Sequence, residues 1–329
     1  MTETATIALL GDVMLGRLVS EQIGRRPPES LWGDVLPVLQ GVDAVIANLE
    51  CAVARSGRAW ERYPKVFHFR AVPEAIEVLQ AARVTAVNLA NNHTLDYETE
   101  ALLETLEHLD KAGIVHAGAG ADAAAAAQPA FARAGPLRFA LFGVTDNEPA
   151  FGATESAPGV CFYNPVSGEP LAPSRGAISE ARAQGADLVV VSAHLGPNMV
   201  LRPAEALRGY KRQLAEAGAD IVHGHSAHVF QGIERTDTRL ILHDTGDFLD
   251  DYAVDRELRN DWSFLFIVEA DAQGPRRLIL RPVRLGFARV SFATGDEADE
   301  ICARMQQLSL PFGTGLERTA DGLSLSFER

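Results

Sequence analysis

The chain has 329 residues, of which 47% are hydrophobic, and this length and composition suit one large α/β domain with a substantial core. Its net charge of −14 argues against a wide face that neutralises phosphates, so no nucleic acid is expected as a partner. The three cysteines, Cys51, Cys161 and Cys302, are too few and too scattered for a disulfide framework or a structural zinc knuckle.

The N-terminal residues pass directly into the apolar run 7–10, without the basic start, long apolar stretch and cleavage site of a signal peptide. No apolar run in the sequence reaches the length of a membrane-spanning helix. We therefore expect a cytoplasmic protein without a membrane segment. The sequence does not indicate its oligomeric state.

Short apolar runs that end in polar residues recur along the chain and predict buried strands. They lie at 7–10, 44–47, 85–90, 188–191, 221–222 and 240–242. Helical spacing of apolar residues predicts helices at 74–82, 98–112, 175–184 and 204–217, and the alanine run 123–127 predicts a short one. This alternation of strands and helices predicts an α/β sheet covered by helices.

The pattern changes after about residue 220, where strands follow one another with short turns. Predicted strands at 229–235, 239–242, 264–269, 277–280 and 283–290 favour antiparallel pairing, and 297–308 is predicted as a closing helix. The stretches 56–70, 146–173 and 245–261 have little regular pattern. We expect a single domain over 1–329, with residues 291–329 as a C-terminal extension that packs on it.

Polar side chains collect at the ends of the predicted strands, where α/β sheets form crevices. They are Asp12, Asn48, Glu50, Asn92, His93, His194, His223, His225, His228, Asp244 and Asp247. Carboxylate, amide and imidazole groups together form a mixed oxygen and nitrogen ligand set. Such a set suits Mn, Fe or Zn.

Each of these motifs is weak when taken alone. A Gly-Asp pair after a strand and an Asn-Asn-His string are more common in turns, and a lone His194 is more often a hydrogen-bonded core residue. The cluster 223–228 differs, because three imidazoles within six residues are difficult to explain by packing. The joint occurrence in strand order predicts the metal site.

Six strings resemble, in order, the motifs of the CapA family of bacterial poly-gamma-glutamate capsule synthesis proteins. They are LLGDVMLGR, ANLEC, LANNHTLDYE, SAHLGPNM, ADIVHGHSAHVFQGIE and LILHDTGDFLDDY, and they extend over residues 6–252. This family is related to the calcineurin-like metallophosphoesterases. The resemblance implies a four-layer α/β/β/α sandwich with two mixed sheets and a dinuclear metal site at the sheet edge.

The resemblance also implies roles for individual residues. The implied metal ligands are Asp12, Glu50, Asn92, His194, His225 and His228, with His223 as the competitor of His228. Glu50 stands where a bridging aspartate is usual, and His93 matches a group that contacts the reacting centre as an acid or transition-state stabiliser. Two divalent ions are expected, with a single ion as the alternative.

Two departures from the motifs bear on these roles. Met14 stands where metallophosphoesterases carry a histidine ligand, and a thioether is a poor ligand for a hard divalent ion. Asp247 replaces the asparagine of the Gly-Asn-Phe string and adds a carboxylate. We assign substrate binding to Arg17, Arg202, Arg62 and Asp247, although a solvated surface charge is the more common role of an arginine.

These residues predict a metal-dependent hydrolase. A metal-activated water would attack a phosphoester, or a gamma-glutamyl or other amide bond, of an anionic small molecule or polymer, with His93 and Glu50 as catalytic residues. The alternative is a non-hydrolytic accessory or binding protein in poly-gamma-glutamate, capsule-type or peptide biosynthesis. The missing histidine at Met14 motivates this alternative.

Overall fold

The computed structural model describes residues 3–165, 171–236 and 238–327, which form twenty strands and eight α-helices. The strands are β1 (Ala5–Val13), β2 (Ala44–Leu49), β3 (Ala52–Val53), β4 (Arg70–Ala71), β5 (Val84–Asn88), β6 (Val115–Ala117), β7 (Ala119–Gly120), β8 (Ala130–Ala134), β9 (Leu137–Thr145), β10 (Gly159–Val160), β11 (Leu188–His194), β12 (Ile221–His225), β13 (Ile233–Arg235), β14 (Leu240–Leu242), β15 (Asp247–Leu249), β16 (Trp262–Asp271), β17 (Gly274–Gly286), β18 (Arg289–Phe292), β19 (Glu317–Thr319) and β20 (Gly322–Ser326). The helices are α1 (Arg17–Gln22), α2 (Leu36–Gly41), α3 (Ala75–Ala81), α4 (Glu98–Ala112), α5 (Ala123–Ala126), α6 (Ala172–Ala183), α7 (Glu205–Glu216) and α8 (Gly295–Ser309). Among these described helices, none is long and apolar enough to span a membrane.

Two mixed sheets form the centre of the fold. The first has the order β19-β20-β17-β16-β1-β2-β5-β6, with parallel pairing from β1 to β6 and antiparallel pairing from β1 to β19. The second has the order β13-β14-β12-β11-β9-β8, and its four central strands are parallel. Parallel strands place their carboxyl ends at one edge of each sheet, which is where the predicted ligands occur.

Apolar side chains divide into three buried layers around these sheets. Along β1, Ile7 and Leu9 pack between the two sheets, whereas Ala8 and Leu10 pack against the helical layer on the first sheet. Helices α6 and α7 cover the outer face of the second sheet. In the first sheet, both faces of β1 are buried, which is why its residues 7–10 form a continuous apolar run. The predicted four-layer α/β/β/α sandwich with two mixed sheets is confirmed.

Local patterns predicted most of the helices well. Helix α4 spans the predicted residues, and it ends at Gly113, whose φ of 70° is the left-handed conformation that suits a helix C-terminus. Helix α5 confirms the interpretation of the alanine run, and its first turn is capped by the side chain of Asp122. Residues 166–170 of the irregular stretch 146–173 lie outside the described residues.

Antiparallel pairing is confirmed for most strands of the C-terminal part, but one division between strands, one strand boundary and one pairing differ from the prediction. The predicted strands 277–280 and 283–290 belong mainly to one long strand, β17, which runs through Pro282. On one side β17 pairs with β16 along its length; on the other side its neighbour is β20 before this proline and β18 after it, so Pro282 lies where the partner strand changes. The predicted strand 229–235 is confined to β13, and β14 pairs in parallel with β12 as well as antiparallel with β13.

The segment from residue 291 is integrated with the first sheet. Strand β20 pairs with β17, and β19 follows at the sheet edge. Helix α8 contributes Ile301 and Met305 to the apolar layer between the sheets. Folding of this segment therefore extends the inter-sheet core.

Candidate metal centre

The ends of neighbouring strands bring the predicted ligands into register. On the first sheet, Asp12 lies opposite Asn48 of β2 and opposite Asp247 of β15. On the second sheet, His194 lies opposite His225 at the ends of β11 and β12. The two sheets thus present carboxylates and imidazoles, respectively, at the same edge of the sandwich.

Four side chains form the centre of the candidate site, which we call the acidic centre: Asp12, Glu50, His228 and Asp247. Each offers a ligand atom within 4.8 Å of those of the other three, and all four residues are buried. His228 Nδ1 lies 2.8 Å from Asp247 Oδ1 and 3.8 Å from Asp12 Oδ2. Three carboxyl groups this close together can hold a cation, which would offset the mutual repulsion that burial leaves poorly screened.

Two further imidazoles adjoin the acidic centre. His225 Nδ1 is 3.1 Å from Asp12 Oδ1, and His194 Nε2 is 3.9 Å from Glu50 Oε1. Asn48 Nδ2 donates to Asp12 Oδ1 at 2.8 Å and lies 3.3 Å from His194 Nδ1. These contacts occupy one oxygen of Asp12 and leave the other for a ligand.

The residues present fit a divalent metal. Several buried atoms with lone pairs have no hydrogen-bond partner among the described residues, and they include Asp12 Oδ2, Glu50 Oε1, Asn92 Oδ1, His225 Nε2 and Asp247 Oδ2. Buried polar atoms normally have partners, so a concentration of unpaired acceptors fits a site that can hold a cation. Oxygen and imidazole nitrogen atoms together suit Mn, Fe or Zn.

Burial sets the protonation of the site. Burial, followed by the charge of Asp12, raises the pKa of Glu50 well above its usual range, and burial does the same to the pKa of Asp247. Burial lowers the pKa of His194 and of His225 to about 3. Both imidazoles are therefore neutral at physiological pH, the form in which histidine binds a metal.

A cavity of about 540 Å³ opens beside the acidic centre, and we call it the His93 cavity. It is lined by Arg17, Phe67, Phe69, His93, Asn198, Met199, His228, Tyr252, Ala253, Val254, Asp255 and Asn260. Because His228 belongs both to the acidic centre and to the cavity wall, a ligand in this cavity would reach the centre directly.

His93 is held in the cavity wall by two contacts. Its ring stacks on Phe69 with 3.8 Å between the centroids, and its Nδ1 lies 2.5 Å from Asp96 Oδ2. Lys65 Nζ lies 3.3 Å from the other oxygen of Asp96 and donates to the main-chain oxygen of Asn92. Burial and the nearby Lys65 keep the pKa of His93 well below its usual range.

Some of the predicted substrate-binding residues lie elsewhere. Arg62 pairs with Glu98 and lies over the ring of Trp60, with 63% of its side chain exposed. Arg202 lines a separate cavity of about 150 Å³. Asp247 is part of the acidic centre. Of the four residues assigned to substrate, Arg17 alone lines the His93 cavity.

His223 and Met14 are not among the four residues of the acidic centre. His223 Nε2 lies 3.2 Å from the hydroxyl of Thr245, and its ring packs against that of His225 with 4.1 Å between centroids. The sulfur of Met14 accepts a hydrogen bond from the main-chain N–H of Gly16, and its side chain packs in the helix-side core. His223 therefore supports His225, and Met14 supplies an apolar contact.

Sequence reasoning missed the roles of three residues near the site, two of which lie in the motif strings. Tyr252 ends the last string, and its hydroxyl donates to Glu50 Oε2 at 3.0 Å. Asp96 lies three residues after His93 in the Asn-Asn-His string. Lys65 falls in an irregular stretch, where no local signal could have indicated its contact with Asp96.

Residues 6–252 match the family described as "Bacterial capsule synthesis protein PGA_cap". The chain belongs to this family. The match covers the strands that carry the acidic centre, His93 and Tyr252, and it confirms the resemblance of the six strings.

Two relatives of this PGA_cap protein are named for polymer synthesis. The chain is 28% identical to a "probable polyglutamine synthesis accessory protein" of Mycobacterium tuberculosis, over 98% of this chain and 95% of that protein. It is 30% identical to the "PGA biosynthesis protein CapA" of Bacillus subtilis, over 76% of this chain and 64% of that protein. A solved 5'-nucleotidase from Candida albicans is similar with a TM-score of 0.43 and 10% identity, over 95% of this chain and 60% of that chain.

Proposed function

We propose that this protein is a metal-dependent hydrolase that acts on a phosphoester, or on a gamma-glutamyl or other amide bond, of an anionic substrate. The observation that carries the proposal is the acidic centre with its unpaired oxygen atoms at the wall of an open cavity, beside His93. Buried carboxylates, neutral imidazoles and a histidine bound to an aspartate are the groups that hydrolysis with a metal requires.

The ion would be held by Asp12, Glu50, His228 and Asp247, with His225 and Asn92 as further ligands through their unpaired atoms. Manganese, iron and zinc each suit this donor set, and the number of ions is one or two. When bound, the metal lowers the pKa of a water and polarises the bond to be cleaved. Tyr252 fixes the orientation of the Glu50 carboxylate through its hydroxyl.

His93 moves a proton in this proposal. Asp96 binds Nδ1, so Nε2 is the nitrogen that exchanges a proton with the leaving group or stabilises developing charge in the cavity. The stacked ring of Phe69 limits rotation of the imidazole. A fixed ring places the proton close to the reacting group at little entropic cost.

Arg17 binds the negative charge of the substrate. Its guanidinium lies 3.4 Å from Asp251 Oδ1 and within 6.0 Å of the rings of Phe67, Phe69 and Tyr252. One carboxylate leaves several of the five guanidinium N–H groups available. The cation therefore lies at the mouth of the cavity with donors for a carboxylate or phosphate.

The second candidate function is that of an accessory protein that binds an anionic chain without cleaving it. Met14 favours it, because this side chain packs in the apolar core where the related enzymes carry a ligand. The name of the Mycobacterium tuberculosis relative also supports an accessory role. Both functions use the same cavity, and turnover distinguishes them.

Elemental analysis and turnover together test the proposal. We expect one or two equivalents of Mn, Fe or Zn in protein purified without added metal, and hydrolysis of generic phosphoesters or of gamma-glutamyl peptides. Glu50→Gln should lose metal and turnover, and His93→Ala should lose turnover while it retains metal. Glu107→Gln, on the exposed face of α4, is the matched control.

Bound metal without turnover on any substrate, in parent and variants alike, would support the accessory function. Equal metal content in the parent and Glu50→Gln would contradict the acidic centre as the binding site.

A further inference from the structure

We propose that Glu148 is a positioning residue, which holds one wall of the His93 cavity and the imidazole of His93 in place from the second sheet. Glu148 lies in the turn after β9 of the second sheet, whereas His93 and Asp96 follow β5 of the first sheet. Segment 60–69, which we call the wall segment, lies between β3 and β4 in the chain and lines part of the cavity. The inference rests on the proposed function only in taking His93 as a reacting group.

Glu148 contacts two side chains of the wall segment. One of its carboxylate oxygens accepts a hydrogen bond from the hydroxyl of Tyr63, and the other lies 3.4 Å from the ammonium group of Lys65. The Lys65 side chain is only 6% exposed, so water screens this ion pair weakly. These two contacts attach the wall segment to the second sheet.

Lys65 connects Glu148 to His93 through Asp96. The ammonium group of Lys65 lies 3.3 Å from Asp96 Oδ1, a distance close to that from Glu148. The other oxygen of Asp96 lies 2.5 Å from His93 Nδ1 and accepts a hydrogen bond from the main-chain N–H of Phe69 at 2.7 Å. Because the ammonium group is held between two carboxylates, loss of Glu148 would release it and alter the contacts of Asp96 with His93.

The wall segment is anchored by apolar packing near its two ends, where Trp60 and Phe69 are buried. Its middle is different, because Val66 is 86% exposed and Phe67, which lines the cavity, is 56% exposed. A segment with few buried apolar contacts opens at a low cost in free energy. The polar contacts with Glu148 therefore determine where the middle of the wall segment lies.

The turn that carries Glu148 is itself fixed to the second sheet. Glu148 has a φ of 52°, a left-handed conformation that is rare for residues other than glycine, and it precedes Pro149. Next to it, Asn147 Nδ2 donates to the hydroxyl of Ser226 at 3.1 Å, and Ser226 belongs to the histidine cluster 223–228. Strained backbone persists where surrounding contacts hold it, and it concentrates at functional sites. The turn thus places the carboxylate of Glu148 relative to the histidines of the second sheet.

Amide hydrogen exchange of the full protein tests the inference without any need for turnover. In Glu148→Ala, the amides of residues 61–68 should exchange about tenfold faster than in the parent, because both contacts of the wall segment are lost. The amides of β9 and α4 should keep their rates. Glu148→Gln retains an acceptor for the hydroxyl of Tyr63 and should recover most of the protection. Glu180→Ala, which removes an exposed carboxylate bonded to Gln184 on α6, is the control.

Nitrogen NMR of the imidazole rings gives a second readout, which a purely structural role would not change. The signals of His93, assigned with His93→Ala, should shift in Glu148→Ala, whereas those of His116, which is paired with Asp110, should not. The inference is overturned by unchanged exchange of residues 61–68, or by unchanged His93 signals, in Glu148→Ala. Faster exchange throughout the protein would indicate general destabilisation and would overturn it as well.

Failure of the hydrolase proposal gives a different result from failure of this inference. If the parent turns over substrate, Glu148→Ala should lower the turnover number about tenfold without loss of metal, and it should cause no further loss in the His93→Ala protein. Local opening with shifted His93 signals, but without turnover in the parent, would retain the role of Glu148 and refute the hydrolase. Turnover that requires His93 but is unaffected in Glu148→Ala would do the reverse.

Discussion

His93 Nδ1 and Asp96 Oδ2 lie 2.5 Å apart in the wall of the His93 cavity. Because Asp96 fixes the imidazole through this nitrogen, we predict that Asp96→Asn lowers the turnover number about 100-fold, within the usual range for proton transfer. Metal content should not change, since neither residue belongs to the acidic centre.

The double variant is the control for this pair. If Asp96 acts through His93, then Asp96→Asn combined with His93→Ala should be no slower than His93→Ala alone. Steady-state kinetics of the metal-loaded proteins measures both effects, and additive losses would show that Asp96 has a separate role.

We predict that Tyr252 increases the metal affinity of the acidic centre through its hydrogen bond to Glu50. Tyr252→Phe removes the donor to Glu50 Oε2, and this donor lowers the pKa of the buried carboxyl. We expect the variant to bind metal about tenfold more weakly, the usual effect of losing a hydrogen bond to a ligand. Competition with a fluorescent chelator measures the affinity.

Tyr163→Phe is the matched control for Tyr252, because Tyr163 is also buried and its hydroxyl accepts a hydrogen bond from the main-chain N–H of Leu171. An equal loss of metal affinity in both variants would indicate a general effect on packing.

Asp247→Asn restores the asparagine of the family string and tests whether Asp247 is a ligand. The change removes a carboxylate oxygen that is buried and has no hydrogen-bond partner within the described parts of the chain. We expect metal affinity to fall about tenfold. Asp110→Asn, exposed on α4, should leave the affinity unchanged. Unchanged affinity in Asp247→Asn would return Asp247 to the role in substrate binding that its sequence position indicates.

Lys211 gives a prediction about stability and pH. It is buried on α7, where its ammonium group donates to the main-chain oxygen of His243, and burial lowers its pKa from 10.5 to about 8. The unfolded chain keeps this proton up to a higher pH than the folded chain. The free energy of unfolding therefore rises as pH increases from about 8 toward 10.5, by about 2 kcal/mol between about pH 8 and about pH 9.5.

Urea unfolding at several pH values measures this dependence. Lys211→Met should lack the rise of its parent, whereas Lys111→Met, on the exposed end of α4, should keep it. The comparison removes the contribution of the buried cysteines, which act in the opposite direction at higher pH. A parallel pH profile in Lys211→Met and its parent would contradict the lowered pKa.

Local pattern predicted the sheets and most candidate ligands because each strand end is encoded by its own apolar run. Asp12 and His225 lie shortly after the ends of such runs, and they meet because the parallel strands of both sheets end at the same edge of the sandwich. Contacts between distant segments were not predictable in this way. Tyr252 and Glu50 are 202 residues apart in sequence, and Lys65 reaches Asp96 from a stretch without regular pattern.

The positions of the arginine side chains were also not predictable from local sequence pattern. Arg17 and Arg202 each follow a motif closely, so sequence position alone makes them equally good candidates for substrate binding. The structure separates them, because Arg17 starts α1 beside Asp251, whereas Arg202 lies beside a different and smaller cavity. The direction in which the loop runs, rather than the distance of the arginine from a motif in sequence, determines which arginine side chain reaches the His93 cavity.

The origin of the ligands has a mechanical consequence. Asp12, Glu50 and Asp247 come from the first sheet and its adjoining loops, whereas His194, His225 and His228 come from the second. An ion held by both groups, as proposed above, would be a cross-link between sheets that pack on each other through apolar side chains. Removal of the ion should weaken the packing between the two sheets along this edge of the sandwich. Amide hydrogen exchange should therefore accelerate in strands of both sheets at once.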